Sequence, residues 1–447
     1  MKKGIVMTEG RPLKLLLAFT VPMILGNVFQ QFYSMVDAVV VGRFVSKEAL
    51  ASIGATSAIL YLMISFIIGF TVGTSIVTAQ FAGARDEEGL QKTFATGTWI
   101  SIIAAVILTV GGNLLARPAL HLLGTPADII ADAELYLRFN FSTCIAPIVY
   151  NMIAQFLRAL GDSKTPLYAL VISSLTNIVL DLAFVLLFDM GVAGVALATA
   201  IAQVCSAVFC LWRVARHFPE TLPRRDGWRP DGQIVGRVLK YGIPMSVQNI
   251  FVSFGMMTIQ GMINSFGTNV VAGYTAANKV DQIALQFMDS IGSAMSTYAG
   301  QNYGAKKPER IFSGLRAGLL LTLGTGAFLT LVMVFLGKYI VRLFMDASEA
   351  EAIAVAVQYL TVVAVFYVLC GVGYVYSNLL RGIGRVVVPT AASFVELGAK
   401  ILAAWLLSGL LGSAGIWYAW PASWIVTALL LAGYFHLVTA RQLRNMA

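Results

Sequence analysis

The chain has 447 residues, of which 58% are hydrophobic and 12% charged, against about 45–50% and about 25% for soluble globular domains. That balance excludes a soluble domain and makes the chain an integral membrane protein. The formal net charge of +9 would suit a nucleic-acid surface in a soluble protein. Here it is read as a topology signal.

A helix needs roughly 20 apolar residues to cross the hydrocarbon. Runs of that kind predict twelve spans, near 14–42, 54–79, 94–116, 135–159, 166–188, 191–213, 239–265, 275–300, 312–336, 355–380, 388–410 and 415–438. The first run is too long for a signal-peptide core and has no small-residue cleavage site beside it, so it is read as retained structure.

The two halves repeat at a spacing of about 222 residues. Residues 19–56 lie ungapped on 241–278, with Pro22 on Pro244, Met23 on Met245 and Phe44 on Phe266. Further on, Gln80 and Gly83 meet Gln301 and Gly304, Leu157-Arg158 meets Leu380-Arg381, and Gly191 meets Gly412. Four matches in one order mark a duplicated half. The expected fold is therefore an all-α integral membrane protein of twelve transmembrane helices in two six-helix, pseudo-symmetric lobes. Its expected domains are residues 1–213, a cytoplasmic linker 214–238, and residues 239–447. Six spans per copy give both copies the same orientation, with a pseudo-two-fold axis along the membrane normal.

Lys and Arg at the termini and in the even-numbered loops make up 23 of the 31. Arg43, Lys47, Arg117, Arg138, Lys338 and Arg342 fall on the other face, and Lys279 and Lys400 fall within spans. The positive-inside rule then places both termini in the cytoplasm. The linker and its two edges carry Arg213, Arg216, Arg224, Arg225, Arg229, Arg237 and Lys240, a cluster suited to anionic headgroups. Cys144, Cys205, Cys210 and Cys370 lie inside spans without Cys-x-x-Cys spacing, and read as small packing residues. His121, His217 and His436 stand at span ends or in loops, so no histidine relay crosses the membrane.

Charged groups inside spans are expensive and usually face a cavity or a partner. Asp37 shares one face of span 1 with Gln30 and Ser34, and Asp181 continues a face of span 5 through Ser173 and Asn177. With a rise of 1.5 Å per residue, Asp37, Asp181 and Thr199 all lie roughly 9–12 Å below the outer surface. Two carboxylates in one low-dielectric pocket either hold a proton or hold a cation between them. Asp, Asn and Thr oxygens suit Na⁺ or a bound proton equally well. Satisfied interhelical hydrogen bonds without titration are the alternative.

The second half does not copy these acids: Asp37 maps onto Ile259 and Asp181 onto Ala404. It has instead a polar stripe on span 8, with Asn278, Gln282, Asp289 and Ser296, which either lines a central cavity or bonds between helices. Met256 and Met257 on span 7 and Met288 on span 8 offer a soft surface for apolar ligands, or core filling. Glu396 and Lys400 are spaced i, i+4 in the favourable order, as a structural pair or as a gating pair.

These features together resemble the multidrug and toxic compound extrusion (MATE) family: two six-span halves, the Pro22-to-Asp37 segment ending Met35-Val36-Asp37-Ala38, the paired Gln80/Gln301 and Gly83/Gly304 motifs, and Leu157-Arg158-Ala159-Leu160-Gly161-Asp162. The resemblance implies an antiporter exporting organic, often cationic, compounds in exchange for Na⁺ or H⁺. It implies no cofactor besides that coupling ion, a monomer, membrane lipid as surroundings, no nucleic-acid partner, and a multi-pass place in the cell membrane. The DinF-like branch implies a cation site at Asp37, Asn177, Asp181 and Thr199, which would be the ligand set for Na⁺, with Asn151 and Tyr136 as further polar positions. Where the NorM-like branch has a glutamate in span 7, this chain has Val252, which favours the amino-terminal site. The stripes and the methionine surface read above give the expected cavity residues: Gln30, Ser34, Met256, Met257, Asn278, Gln282, Met288 and Asp289. A lipid-linked sugar or lipid flippase would want a basic cleft, for which the spans offer Lys279 and Lys400. Enzyme motifs and a ring of filter carbonyls are missing from the sequence.

Overall fold

The structure, a computed structural model, describes residues 4–40, 47–188, 190–224, 226–346 and 348–446. Of residues 32–40 and 47–50 it describes the backbone alone. Among the described residues there is no strand. Backbone N–H and C=O groups in hydrocarbon have no water to bond, so a single-chain span satisfies them within itself, as a helix.

The first repeat comprises α1 (Pro12–Val40), α2 (Lys47–Ala84), α3 (Glu87–Leu122), α4 (Ile130–Ser142), α5 (Ile145–Ala159), α6 (Lys164–Leu186) and α7 (Gly191–His217). A 3₁₀ turn at Pro219–Thr221 begins the linker. The second repeat comprises α8 (Gly232–Asn264), α9 (Thr268–Gly304), α10 (Pro308–Val341), α11 (Ala350–Ala364), α12 (Tyr367–Gly382), α13 (Val387–Leu411), α14 (Ser413–Trp417), α15 (Ala419–Tyr434) and α16 (Ala440–Arg444), with a π-helical turn, Phe435–Thr439, between the last two. Eight of the described helical runs are long and apolar enough to cross a membrane, and the α11–α12 pair makes a ninth.

Two expected spans are broken. The fourth, read as 135–159, is α4 and α5 interrupted at Thr143 and Cys144, and the tenth, read as 355–380, is α11 and α12 interrupted at Val365 and Phe366. The tenth bends there by 52°. The breaks stand at corresponding places in the two repeats, as do three pairs of left-handed residues: Arg85 (φ 56°) with Lys306 (φ 53°), Gly161 (91°) with Gly384 (86°), and Gly191 (54°) with Gly412 (62°). Left-handed backbone is unfavourable for residues carrying a Cβ. Its retention at Arg85 and Lys306 shows that the α2–α3 and α9–α10 corners have one geometry.

Packing divides the chain into two compact units that differ from the sequence halves. One holds residues 1–6 and 21–246, the other 7–20 and 247–447. The linker and the start of α8 therefore belong with the first unit, and the start of α1 with the second. The paired glutamines show why. At the end of α2, Gln80 Oε1 accepts from Arg237 of α8 at 2.6 Å, and Arg237 also lies 5.0 Å over the Phe81 ring. At the end of α9, Gln301 Oε1 accepts from the Met7 N–H at 3.0 Å, while Asn302 and Arg310 both donate to the Met7 carbonyl at 3.1 Å. Each glutamine thus holds the entry to the other repeat's first helix.

In the first unit α6 packs along α7, and α5 packs on α2 and α7; in the second, α9 packs on α10, α11 and α12, and α13 packs on α15. On α3, Ile103, Val106, Ile107, Val110 and Leu114 form an exposed apolar stripe at helical spacing. Lipid is the natural partner of such a face.

Candidate functional site: a polar cluster on α6 and α7

Helix α6 buries Ser173, Asn177 and Asp181 on one face, with Asn177 fully buried and Asp181 1% exposed. The left-handed Gly191 starts α7 back along α6, and the register is fixed lower down by Ser206, whose hydroxyl donates to the Ala169 carbonyl at 2.9 Å. Two turns along α7 from Ser206, Thr199 meets Asn177. With the Asn177 amide oriented by its surroundings, its nitrogen donates to Asp181 Oδ2 at 2.8 Å, and its oxygen accepts from the Thr199 N–H at 3.2 Å and hydroxyl at 3.3 Å. The structure thus brings together three of the four residues expected to hold a cation.

The fourth, Asp37, lies on the backbone of α1, but its side chain, with that of Ser34, is outside the described residues. Tyr136 of α4 is 9% exposed and packs with Val192 and Ala196, with Val185, one turn beyond Asp181 on α6, and with Val195, one turn before Thr199 on α7. Asn151 of α5 is half-buried and donates to the Pro147 carbonyl of its own helix at 2.8 Å.

The expected cavity residues differ in exposure. Gln30, Met257, Gln282 and Asp289 are exposed, and Asn278 and Met256 are half-buried. Met288 is 1% exposed within the core of the second unit, so its side chain fills the core there instead of lining a cavity. Glu396 and Lys400 do pair, at 3.6 Å, with Thr427 donating to Glu396 at 3.0 Å and the Lys400 ammonium 5.5 Å over the Trp420 ring. Ile259 and Ala404, the counterparts of Asp37 and Asp181, are fully buried in that core.

Sequence reasoning missed one acid. Asp281 of α9 is 1% exposed, and accepts from the Tyr367 hydroxyl at 2.6 Å and the Tyr359 hydroxyl at 3.0 Å. The stripe drawn through Asn278, Gln282 and Asp289 passed it by, although a carboxylate within a span was itself the signal. Its tyrosines stand on either side of the α11–α12 break, so no regular helical spacing would have joined them.

This is the architecture of a polytopic transporter with a buried acid in each of two repeats. The MatE family profile matches residues 22–183 and 244–406, segments that open on the paired prolines Pro22 and Pro244. The chain belongs to the MatE family, the multidrug and toxic compound extrusion transporters. It is 32% identical over 416 residues to the "Probable multidrug resistance protein YpnP" of Bacillus subtilis, covering 92% of this chain and 91% of that one. It is 20% identical over 404 residues to the "Multidrug export protein MepA" of Staphylococcus aureus, covering 90% and 89%. Its fold matches a solved structure described as "Outward-facing conformation of a multidrug resistance MATE family transporter of the MOP superfamily", with a TM-score of 0.91 at 23% identity, over 100% of this chain and 99% of that one.

Proposed function

We propose that this chain is a secondary active antiporter of the cell membrane, with both termini cytoplasmic, acting as a monomer to export organic, often cationic, compounds in exchange for Na⁺ or H⁺. The names carried by the YpnP and MepA relatives support multidrug export. The observation that carries ion coupling is the buried Asp181, joined to Asn177 and through it to Thr199. We assign the cation to Asp181, Asn177 and Thr199, with Asp37 of α1 completing the set and Asn151 and Tyr136 near it, as in the DinF-like branch.

The chemistry follows from the amide. With the carboxylate charged, the Asn177 nitrogen faces it. A proton or Na⁺ arriving at Asp181 needs oxygen ligands, so the amide turns over and presents its oxygen. Its nitrogen then donates to the Thr199 hydroxyl, which both donates and accepts. Ion binding removes repulsion between Asp37 and Asp181, and a change in differential stability is what shifts a two-state equilibrium. Each charge moved inward releases about 2.3 kcal/mol per 100 mV.

A flippase is not favoured: Lys400 is paired with Glu396, and Lys279 is exposed, 5.9 Å from the Phe344 ring. The test is export of a fluorescent organic cation from reconstituted vesicles under separate Na⁺ and pH gradients. One of the two gradients drives export by the wild-type chain, and Asp37→Asn and Asp181→Asn each lose it. Export independent of both gradients would overturn the reading.

A further inference from the structure

We propose that Asp281 is a second binding group for a monovalent cation, inside the second unit and separate from the α6–α7 cluster. The proposal goes beyond the antiport reading and rests on it for its role in transport, though not for its test.

Asp281 stands 13 residues from Thr268, the start of α9, so the helical rise places it about 20 Å from that end. That is about a third of the way along the 37-residue helix. Tyr359 and Tyr367 each donate to one carboxylate oxygen. Hydroxyl donors favour the ionised acid but do not neutralise it, and among the described residues no ammonium or guanidinium lies within ion-pair distance. The nearby lysine is committed elsewhere: Lys400 pairs with Glu396. In this interior, Asp281 and Glu396 contribute two negative charges and Lys400 one positive. One monovalent cation restores the balance.

The other charged groups on the surrounding helices make no hydrogen bond or ion pair with Asp281 among the described residues. On α9, Lys279 and Asp289 are exposed. Glu309, Arg310 and Arg316 stand in the first third of α10 and Lys338 in its last turn, Glu351 in the first turn of α11, and Arg381 in the last turn of α12.

The donor set fits a hard cation. Each tyrosine oxygen keeps lone-pair capacity while its proton is given to Asp281, so carboxylate and phenol oxygens together offer hard ligands. A second observation also points to a ligand. Trp417 is fully buried, stacked on Tyr274 at 5.7 Å and edge-on to Tyr359 at 5.3 Å, and its indole N–H has no hydrogen-bond partner among the described residues. Indole N–H is a donor alone.

The repeat explains the placing. Where the first half has acids at Asp37 and Asp181, the second has Ile259 and Ala404 in the same buried cluster as Tyr359 and Tyr367. The acid in the second unit comes from α9 instead.

Equilibrium cation binding to the purified full-length chain tests this. A radioactive Na⁺ arm and a proton-uptake arm distinguish the two ions, and infrared difference spectra follow the carboxyl groups. The wild-type chain binds two equivalents of its ion. Asp281→Asn and Asp181→Asn each bind one. Tyr367→Phe, which keeps the carboxylate and most of the packing, weakens the Asp281 equivalent by about tenfold in the Na⁺ arm, where an oxygen ligand is lost, and strengthens it by about tenfold in the proton arm, where a donor to the ionised acid is lost. It carries the test if Asp281→Asn does not fold. A single wild-type equivalent that Asp181→Asn removes and Asp281→Asn leaves would overturn this inference and keep the antiport reading. A single equivalent that Asp281→Asn alone removes would support the inference and overturn the α6–α7 assignment. An unchanged Asp281 equivalent in Tyr367→Phe would contradict the proposed cradle.

Discussion

Asn177 donates its side-chain amide to Asp181, one turn further along α6, at 2.8 Å. That bond ties the only described acid of the α6–α7 cluster to a neighbour able to change from donor to acceptor. Asn177→Ala leaves Asp181 without this donor and Thr199 without its acceptor. A hydrogen bond to a charged group contributes about 1.5–3 kcal/mol and this one holds the empty, ionised acid, so its loss should raise the proton affinity of Asp181 by roughly 10- to 100-fold, while loss of the amide oxygen as a ligand should lower the affinity for Na⁺. Thr199→Val, which leaves the Asp181 bond in place, should shift each affinity less. Cation titrations of vesicle export check both.

Moving the acids into the second repeat is expected to fail. Ile259 and Ala404 are fully buried among apolar side chains. An unpaired carboxylate there costs several kcal/mol. Ala404→Asp should lower the thermal unfolding temperature in detergent more than Val252→Asp, whose position is 37% exposed, and neither should create a new coupling site.

The corners of the repeat give a stability test. A Cβ on Gly161, whose φ is +91°, would lie 2.1 Å from the Ile5 carbonyl oxygen, while Gly384 has the same left-handed backbone at φ +86°. Gly161→Ala therefore carries both a conformational and a steric penalty, on the order of 2 kcal/mol or more. Its unfolding midpoint should drop below that of Gly54→Ala, where nothing lies within 4 Å of the added atom.

The glutamine anchors predict a local effect. Gln80→Ala releases Arg237, and loss of one charge-assisted bond, roughly 1.5–3 kcal/mol, should expose the linker to trypsin at its arginines. Gln301→Ala, which frees the Met7 N–H, should expose the amino-terminal segment and leave the linker as protected as before.

Much of this architecture was legible in the sequence, because apolar runs long enough to span and the match of Pro22 with Pro244 are direct signatures of duplicated helices. Asn177 and Asp181 were legible too: the i, i+4 spacing puts them on one face, and the rise per residue brings Thr199 to the same depth. The helix breaks at Thr143–Cys144 and Val365–Phe366 were not, since hydropathy does not change across them. The exchange of residues 7–20 and 232–246 between units was also hidden, because it depends on contacts made by Gln80 and Gln301 hundreds of residues apart. Asp281 was visible as an acid in a span, but its partners Tyr359 and Tyr367 are brought together by the bend, which spacing does not reveal.

The central claim is that Asp181 takes up the coupling cation, and the most direct measurement is the infrared difference spectrum of the purified chain on adding Na⁺ or acid. The account predicts a carboxyl signal that Asp181→Asn removes and an amide signal that Asn177→Ala removes with it. Difference spectra identical in the wild-type chain and Asp181→Asn would contradict it.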